Sequence, residues 1–353
     1  MNADRKEGFA FQVSHHRGSL PRLSRRRALA TLAKAAPLAF LPACGVQQRP
    51  LPVGEIIGQS DGLGHRLQQG PRPQPAPEAW RRKRLVIVGG GVAGLAAAWR
   101  LRRAGFTDFV LLELEREPGG TSRSGRSSVC AYPWGAHYLP APQKENAALV
   151  RLLKEMGVVE GADAHGEPVI GEQFLCRAPQ ERIAYKGRWY EGLYLHAGAT
   201  AEDRRQFAAF QEEVGHWVAW RDGRGRRAFT LPLAACSDDP VVRALDGVSM
   251  AEFLAQHGWT SERLRWHVEY ACRDDYGTLL ADTSAWAGLF YFCARVPQPG
   301  EEAEPLLTWP EGNGRLVEHL YNAVAAQAQL GVAATEIVPV ERGVDVTVLE
   351  RAS

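Results

Sequence analysis

The chain has 353 residues, of which 45% are hydrophobic and 23% are charged. These fractions are typical of a globular protein with one large core or two moderate ones, and they exclude a fibrous or disordered chain. The net charge of +2 is unevenly distributed: residues 1–44 hold eight of the 42 Lys/Arg and two of the 40 Asp/Glu, so the remainder has 34 against 38, a net −4. That acidic part has no basic stripe with interleaved aromatic residues, so we expect no nucleic-acid partner.

Residues 1–44 form a predicted targeting segment. The stretch SRRRALATLAKAAPLAFLPACG has a basic region, a short apolar run and then small residues, which is the order of an export signal. The run is too short to span a membrane, and Lys34 interrupts it. Ser24-Arg25-Arg26-Arg27 resembles a twin-arginine signal, which exports folded proteins, and this resemblance implies a periplasmic or exported protein that folds around its cofactor first. An ordinary secretory signal or a basic tail is the alternative.

The cysteines bear on anchoring and on metal binding. Leu41-Pro42-Ala43-Cys44 resembles a lipoprotein cleavage box, so a lipid anchor at Cys44 is an alternative to simple cleavage near Ala43. We expect membrane contact only through the signal or that anchor. The other five cysteines lack C-x-x-C spacing, so we predict neither a metal site nor a disulfide framework, and we interpret them as small buried hydrophobic residues.

Residues 45–83 are predicted to be a linker. Their Pro, Gly and Gln content, as in PRPQPAPEAW, does not favour a helix or a central strand. The stretch VGEIIGQSDGLGHRL within the linker has enough apolar residues to pack on a domain surface.

LVIVGGGVAGLAAAWRLRRAG, residues 85–105, predicts a strand, a glycine turn and a helix. The continuous apolar run 85–88 is typical of a buried parallel strand, and apolar residues at helical spacing follow it. Gly105 stands where a helix C-cap belongs. FTDFVLLELE then supplies a second strand whose apolar part ends at Glu113.

The spacing of three glycines, Gly89, Gly91 and Gly94, predicts dinucleotide binding by this strand–helix–strand unit. Gly89 permits the tight turn, and Gly94 lets the helix lie close to the strand. Gly91 lets backbone amides, including those of Val92 and Ala93, approach a pyrophosphate. The carboxylate of Glu113, 19 residues after Gly94, is expected to accept hydrogen bonds from the ribose hydroxyls.

The next segment, LLELEREPGGTSRSG, resembles the extended fingerprint of the flavin amine oxidase and phytoene desaturase superfamily. That resemblance implies FAD rather than NAD as the cofactor, with Gly119 and Gly120 crossing under the pyrophosphate. Thr121 stands where the family usually has an arginine, so Arg123 or Arg126 is expected to contact the phosphate instead.

A later segment, YPWGAHYLP, resembles the small-Gly-x-His stretch of the same family. The resemblance implies that Gly135 and Ala136 pass beside the isoalloxazine ring and that His137 or Tyr138 faces flavin or substrate. These two side chains are the candidates for a catalytic role. A turn glycine, a satisfied histidine and a core tyrosine are the structural alternatives.

From residue 151 to 305 the pattern changes to a predicted substrate domain. ERIAYKGRWYEGLYL alternates around Lys186-Gly187 like a β-hairpin. Helical patterns follow in AEDRRQFAAFQEEVGHWVAW, SMAEFLAQHGW and SERLRWHVEYACRDDYG. We expect most of the region's aromatic residues in the core, with a substrate tunnel as the alternative, and Asp274-Asp275 at a solvated helix end rather than at an amine site.

Residues 306–353 are predicted to return to the FAD domain. LLTWPEGNGRLVEHLYNAVA resembles the family's returning segment and predicts a helix with Leu316, Val317 and Leu320 facing inward. ATEIVPVERGVDVTVLE predicts two strands, with Ile337 where relatives contact the adenine through backbone. The predicted fold class is therefore α/β: a Rossmann-like FAD-binding domain, residues 84–150 and 306–353, with an inserted α+β substrate domain.

The resemblance implies an FAD-dependent oxidoreductase that removes a hydride from a C–N or C–C bond. An amine is the expected substrate, and a desaturase or protoporphyrinogen-oxidase-like activity is the alternative. Because family members continue for roughly another domain, we expect the 353-residue chain not to be catalytically complete, with a further C-terminal segment or a second polypeptide completing it. A non-catalytic FAD-fold protein is the alternative of another class.

Overall fold

The computed structural model describes residues 54, 58–59, 61–69, 75–176, 181–296 and 306–350. The predicted signal, with Arg25, Arg26 and Cys44, lies outside these residues. Residues Gly58–Ser353 form one compact unit. No helix in the described ranges combines the length and apolarity that crossing a membrane requires.

A three-stranded parallel sheet carries the predicted strand–helix–strand unit. β1 (Leu85–Val88) leads through the glycine turn into α2 (Val92–Arg103), numbered after the short helix α1 (Asp61–Gln69), and β2 (Phe109–Glu113) returns beside β1. β12 (Ala328–Leu330) lies on the other edge of β2, which gives the order β1-β2-β12. The Rossmann-like α/β fold class is confirmed.

Strand β1 is less buried than the sequence predicts. Val88 is 50% exposed and Leu85 is 36% exposed, whereas Leu111 in β2 is fully buried. Within the described residues β1 pairs only with β2, while β2 has a neighbour on both edges. The apolar run therefore predicts the strand correctly and its burial only in part.

Short antiparallel elements surround this sheet. β3 (Ser124–Arg126) pairs with β4 (Ala131–Pro133), and β11 (Leu306–Thr308) lies between β5 (Tyr138–Pro140) and β8 (Leu175–Cys176). The remaining elements here are α3 (Ala147–Glu155) and the paired strands β6 (Val159–Ala162) and β7 (Pro168–Ile170). One core joins α2, β2, α3 and the later helix α9 (Gly314–Val324) through Leu95, Trp99, Phe109, Leu153 and Leu320.

The middle of the chain is mostly helical, as predicted. The predicted hairpin is β9 (Arg182–Tyr185) and β10 (Arg188–Glu191), and the helices are α4 (Ala201–Ala219), α5 (Pro240–Ala244), α6 (Met250–Gln256), α7 (Glu262–Tyr276) and α8 (Ala285–Cys293). Thr200 with Asp203 and Ser249 with Glu252 form capping boxes at α4 and α6, which define where these helices begin. A second core includes Phe210, Phe229, Met250, Leu254, Leu264 and Leu289.

The last described segment also follows its predicted pattern. Leu316, Val317 and Leu320 on α9 are all buried. β13 (Val332–Val340) and β14 (Gly343–Glu350) form an antiparallel hairpin. The amphipathic spacing of α9 therefore identifies its inward face correctly.

Three sequence interpretations need correction. The predicted linker contains α1, where Asp61 in the first turn and Arg66 in the last complement the helix dipole and Leu63 is buried. Cys130 is exposed rather than buried, because it lies in the turn between β3 and β4, where its amide donates to Ser127 Oγ. Trp266 is 50% exposed on α7, although Trp217 is a core residue as expected.

Candidate dinucleotide-binding site

Two glycines where β1 leads into α2 have distinct structural requirements: Gly89 in the turn and Gly94 in the first turn of α2. Gly89 has φ +103°, a conformation that favours glycine, and its amide donates to the Leu112 carbonyl at 2.8 Å. A Cβ on Gly94 would lie 1.9 Å from the carbonyl oxygen of Gly89. Only a glycine at position 94 allows α2 to approach the turn this closely.

Gly91 has no comparable requirement in the described part of the chain. Its φ is −70°, which any residue adopts, and a Cβ there would meet no described atom within 4 Å. Gly91 is the N-cap of α2, and no side chain caps this helix end. The leading amides of α2, including those of Val92 and Ala93, lie at the positive end of the helix dipole, which favours an anion.

The carboxylate of Glu113 lies directly beside the turn and is buried. Its Oε2 accepts a hydrogen bond from the Gly90 amide at 2.6 Å, and its Oε1 accepts one from the Glu115 amide at 2.8 Å. Two backbone donors therefore orient the predicted ribose acceptor. Because an ionised carboxylate has about four acceptor positions, Glu113 retains capacity for ribose hydroxyls.

Gly90 is one residue that sequence reasoning missed. Its amide binds Glu113, its carbonyl accepts from the Gly119 amide at 2.8 Å, and a Cβ would lie 2.9 Å from Glu113 Oε2. Gly90 thus connects the acidic strand end to the second glycine pair. The triple glycine at 89–91 was the available signal, since the fingerprint itself requires only its first and third members.

Gly119 and Gly120 lie against the first glycine turn. Gly119 forms a parallel bridge with Gly91, and both members of the pair have positive φ, +119° and +56°. A Cβ on Gly119 would lie 3.0 Å from Val317 of α9, and one on Gly120 would lie 3.6 Å from the Gly91 Cα. The two glycine segments and the N-terminal part of α9 therefore form one closely packed layer.

Two residues of the segment after this pair, Thr121 and Arg123, connect it to other segments. The Thr121 carbonyl accepts a hydrogen bond from the Ala136 amide at 2.9 Å. Arg123 lies beside Gly119, and its guanidinium donates to the Gly58 carbonyl at 2.7 Å. The structure thus places Arg123 next to the glycine pair, with its side chain engaged by the segment that precedes α1.

Residues 135–138 join the same layer. A Cβ on Gly135 would lie 2.6 Å from the Thr121 carbonyl oxygen, so this glycine permits a backbone contact. Both His137 and Tyr138 are exposed, which contradicts the core interpretation of Tyr138. The His137 ring lies 3.1 Å from the Gly135 carbonyl through Nδ1 and packs edge-on against Tyr138.

Asn313, which the sequence did not single out, fastens this segment to the start of α9. Its amide donates to the Ala136 carbonyl at 3.1 Å, and its side-chain Nδ2 donates to the Tyr138 carbonyl at 3.0 Å. Its Oδ1 is buried and has no hydrogen-bond partner among the residues that the structure describes. An orphaned buried acceptor in this position fits a ligand that carries a donor.

Two other predicted positions lie in separate elements. Ile337 is on β13, is 56% exposed and pairs with Val346, whereas Leu330 of β12 is the residue that pairs with Glu113. Asp275 lies at the end of α7, where burial raises the pKa of its carboxyl and Arg295, 3.6 Å away, opposes that rise. The Asp275 side chain is therefore only partly solvated.

The glycine turn, the acidic strand end and the second glycine pair together define a dinucleotide-binding Rossmann-like fold. Residues 87–156 match the family model of the NAD(P)-binding Rossmann-like domain. The peroxisomal N(1)-acetyl-spermine/spermidine oxidase of Bos taurus is 38% identical over 100 residues, which are 27% of this chain and 19% of the bovine protein.

Solved structures extend the likeness beyond the nucleotide-binding unit. Putrescine oxidase bound to putrescine superposes with a TM-score of 0.51 at 17% identity, covering 75% of this chain and 54% of that one. A fatty acid isomerase from P. acnes gives a TM-score of 0.51 at 21% identity, covering 75% and 55%. The chain therefore has the fold of these proteins and spans about half of their length.

Proposed function

We propose that this chain binds FAD in the layer formed by the two glycine segments and the N-terminal part of α9, called the glycine layer below, and forms part of a flavin-dependent oxidoreductase. The observation that carries the proposal is Gly91, where neither the backbone conformation nor packing among the described residues requires a glycine. A pyrophosphate approaching the uncapped start of α2 would require one, because a methyl group would occupy the space between the phosphate and the amides.

The other residues of the layer fit an FAD molecule. Glu113 is oriented by two amides and keeps acceptor capacity for a ribose, and the aliphatic part of Arg123 lies against Gly119 while its guanidinium is held at Gly58. The Gly119-Gly120 pair, packed against Gly91, supports FAD over NAD, since a simple dinucleotide fingerprint does not need it. Bound FAD would supply the hydride acceptor, and the chain would bind and orient it.

We further propose an amine as substrate. Support comes from the local likeness to the bovine polyamine oxidase and from the shared fold with putrescine oxidase. The P. acnes isomerase has an equally similar fold, so fold alone does not select the substrate. His137 and Tyr138 are exposed beside the glycine layer, where they can contact flavin or substrate.

The test uses the full chain, purified and incubated with FAD or with NAD⁺ before desalting. We expect flavin absorbance to remain with the protein and NAD⁺ to be lost. Anaerobic addition of putrescine or spermidine should then bleach the flavin band, whereas an unsaturated fatty acid should not. Retention of NAD⁺ without FAD would refute the cofactor, and retained FAD that no amine bleaches would refute the substrate.

We also propose folded export through the twin-arginine route. The basis is Ser24-Arg25-Arg26-Arg27 in the sequence. Changing Arg25 and Arg26 to Lys keeps the charge but removes the guanidinium groups, so a pathway that reads only charge would be unaffected. We expect export to stop, and export that survives the double change would favour an ordinary secretory signal.

A further inference from the structure

The hairpin tip, residues Tyr185–Trp189, lies outside the proposed cofactor site and has an unusual composition. Its sequence YKGRW contains two aromatic rings and two cations and no acidic residue. Trp189 is 70% exposed and Tyr185 is 37% exposed, and Lys186 and Arg188 are exposed as well. Single exposed aromatic residues are common on protein surfaces, but here two aromatic residues and two cations share one five-residue turn region.

The turn conformation supports a functional origin for the tip. Lys186 has φ +48° and Gly187 has φ +74°, the signs of a two-residue type I′ turn. Lys186 is the one non-glycine residue with positive φ in the described part of the chain. Asn or Gly would adopt this conformation with less strain, so the lysine is kept at a cost to local stability.

The cations at the tip of the hairpin are distant from the charged pair at its base. At its base Arg182 pairs across the strands with Glu191, whereas Tyr185 pairs with Arg188 at the tip. Four residues of strand place Lys186 roughly 13 Å from that base, which exceeds the screening length of about 8 Å at physiological salt. The Lys186 ammonium lies 5.1 Å above the Tyr185 ring, so cation and aromatic ring present one continuous surface.

The two faces of the hairpin differ in exposure. Ile183 and Tyr190, which pair across the strands, are half-buried, whereas Ala184 and Trp189 form an exposed pair on the other face. At the tip, Trp189 therefore lies on one face and Tyr185 with Arg188 on the other, and Lys186 lies in the turn that joins the two strands. This combination is typical of the membrane–water interface, where aromatic rings lie at the headgroup level and Lys or Arg contacts phosphates.

We propose that the hairpin tip docks on a membrane surface that contains anionic phospholipid. The two cations complement the anionic headgroups, and Trp189 enters the boundary between headgroups and acyl chains. An acidic protein or a nucleic acid would use the cations but would give Trp189 no apolar layer. The proposal does not depend on FAD binding or on the substrate.

Vesicle flotation tests the proposal with the full chain and phosphatidylcholine vesicles with or without phosphatidylglycerol. We expect binding only to the anionic vesicles, weakening as salt is raised. The double variant Lys186→Glu/Arg188→Glu should bind at least about 25-fold more weakly, from about fivefold for each cation removed. Trp189→Ala should lower binding about fivefold or more, from the apolar area that no longer enters the interface.

Matched controls separate docking from general charge and from folding. Lys154→Glu/Arg243→Glu makes the same charge change on exposed residues elsewhere, and Trp266→Ala removes another half-exposed indole. Lys186→Asn relieves the turn, so it should raise the melting temperature slightly and still weaken vesicle binding. The proposal would be overturned if the chain bound neutral and anionic vesicles equally, or if the control variants lost as much vesicle binding as the tip variants. It would also be overturned if the chain bound RNA as well as vesicles and Trp189→Ala changed neither.

Discussion

Replacement by alanine should have different effects at Gly94 and Gly91: at Gly94 it should lower the stability of the fold, and at Gly91 it should weaken FAD binding. In Gly94→Ala the new methyl carbon would lie 1.9 Å from the Gly89 carbonyl oxygen. A normal separation of 3 Å or more requires α2 to move by about 1 Å against the sheet, into a core that is already closely packed. Overpacking of this kind costs about 1–3 kcal/mol, and we expect the upper end because the clash is with backbone.

Gly91→Ala should leave the unliganded fold almost unchanged. The methyl group meets nothing within 4 Å, and φ is −70°. The small preference for Gly over Ala at an N-cap opposes the entropy lost from the unfolded chain, so the net change should stay within about 1 kcal/mol. FAD affinity should nevertheless fall tenfold or more by this reasoning, roughly 1.4 kcal/mol, because the methyl group displaces the pyrophosphate.

Thermal unfolding and FAD titration of both variants distinguish the two effects. Gly94→Ala should lower the melting temperature by roughly 4 °C, because an unfolding entropy of about 2.1 cal/mol/K per residue gives about 1.3 °C per kcal/mol for a chain of this size. Gly91→Ala should melt within about 1–2 °C of the parent and fail to retain FAD. The steric reasoning is wrong if Gly94→Ala melts like the parent, and the cofactor reasoning is wrong if Gly91→Ala binds FAD normally.

Two further changes test the contacts around these elements. In Glu113→Gln the side-chain NH₂ would face a backbone N–H, so we expect the unfolding free energy, measured by urea denaturation, to fall by about 2–3 kcal/mol. Because Glu113 has this structural role, Glu113→Lys would not test ribose binding alone. Hydrogen bonds from Ser261 and Thr200 lower the pKa of Asp203 from 3.8 to about 2. Its contribution to stability is therefore complete above about pH 4 and is lost as pH falls towards 2, and Asp203→Asn should flatten the dependence of melting temperature on pH in that window. If the melting temperature of Asp203→Asn depended on pH as that of the parent does, the lowered pKa of Asp203 would be contradicted.

The nucleotide-binding unit is the part that the sequence predicted best. β1, α2 and β2 each carry a local signal: an apolar run, helical spacing ended by Gly105, and a second apolar run ended by Glu113. The glycine spacing predicts the turn between them because each glycine has its own steric reason. The predicted hairpin at Lys186-Gly187 and the inward face of α9 were confirmed for the same reason, since their patterns are local.

The contacts between distant segments could not be predicted in this way. Gly90, Gly119, Thr121, Ala136 and Asn313 are joined by backbone hydrogen bonds between segments up to about two hundred residues apart. Such contacts produce no periodic pattern in the sequence. In the sequence Gly135 cannot be distinguished from any other turn glycine, whereas in the structure a Cβ at this position would lie 2.6 Å from the Thr121 carbonyl oxygen. Composition also misjudged α1, because its one buried apolar side chain, Leu63, acts through tertiary packing.

Asn313 offers a test of whether this assembled layer faces the cofactor. Thr308 Oγ1 donates to the His137 carbonyl at 2.9 Å, just as Asn313 Nδ2 donates to the Tyr138 carbonyl at 3.0 Å, so each side chain holds the same segment through one hydrogen bond. Thr308→Val and Asn313→Ala should therefore each reduce unfolding free energy by about 1–2 kcal/mol.

The two side chains differ in one respect, because only Asn313 has a buried oxygen without a partner. If that oxygen accepts a hydrogen bond from FAD, Asn313→Ala should weaken FAD binding about tenfold beyond the loss in Thr308→Val. The flavin absorption spectrum should shift only in the Asn313 variant, since a hydrogen bond to the cofactor changes its electronic environment. Equal losses of affinity and identical spectra would show that Asn313 merely positions the segment containing His137 and Tyr138.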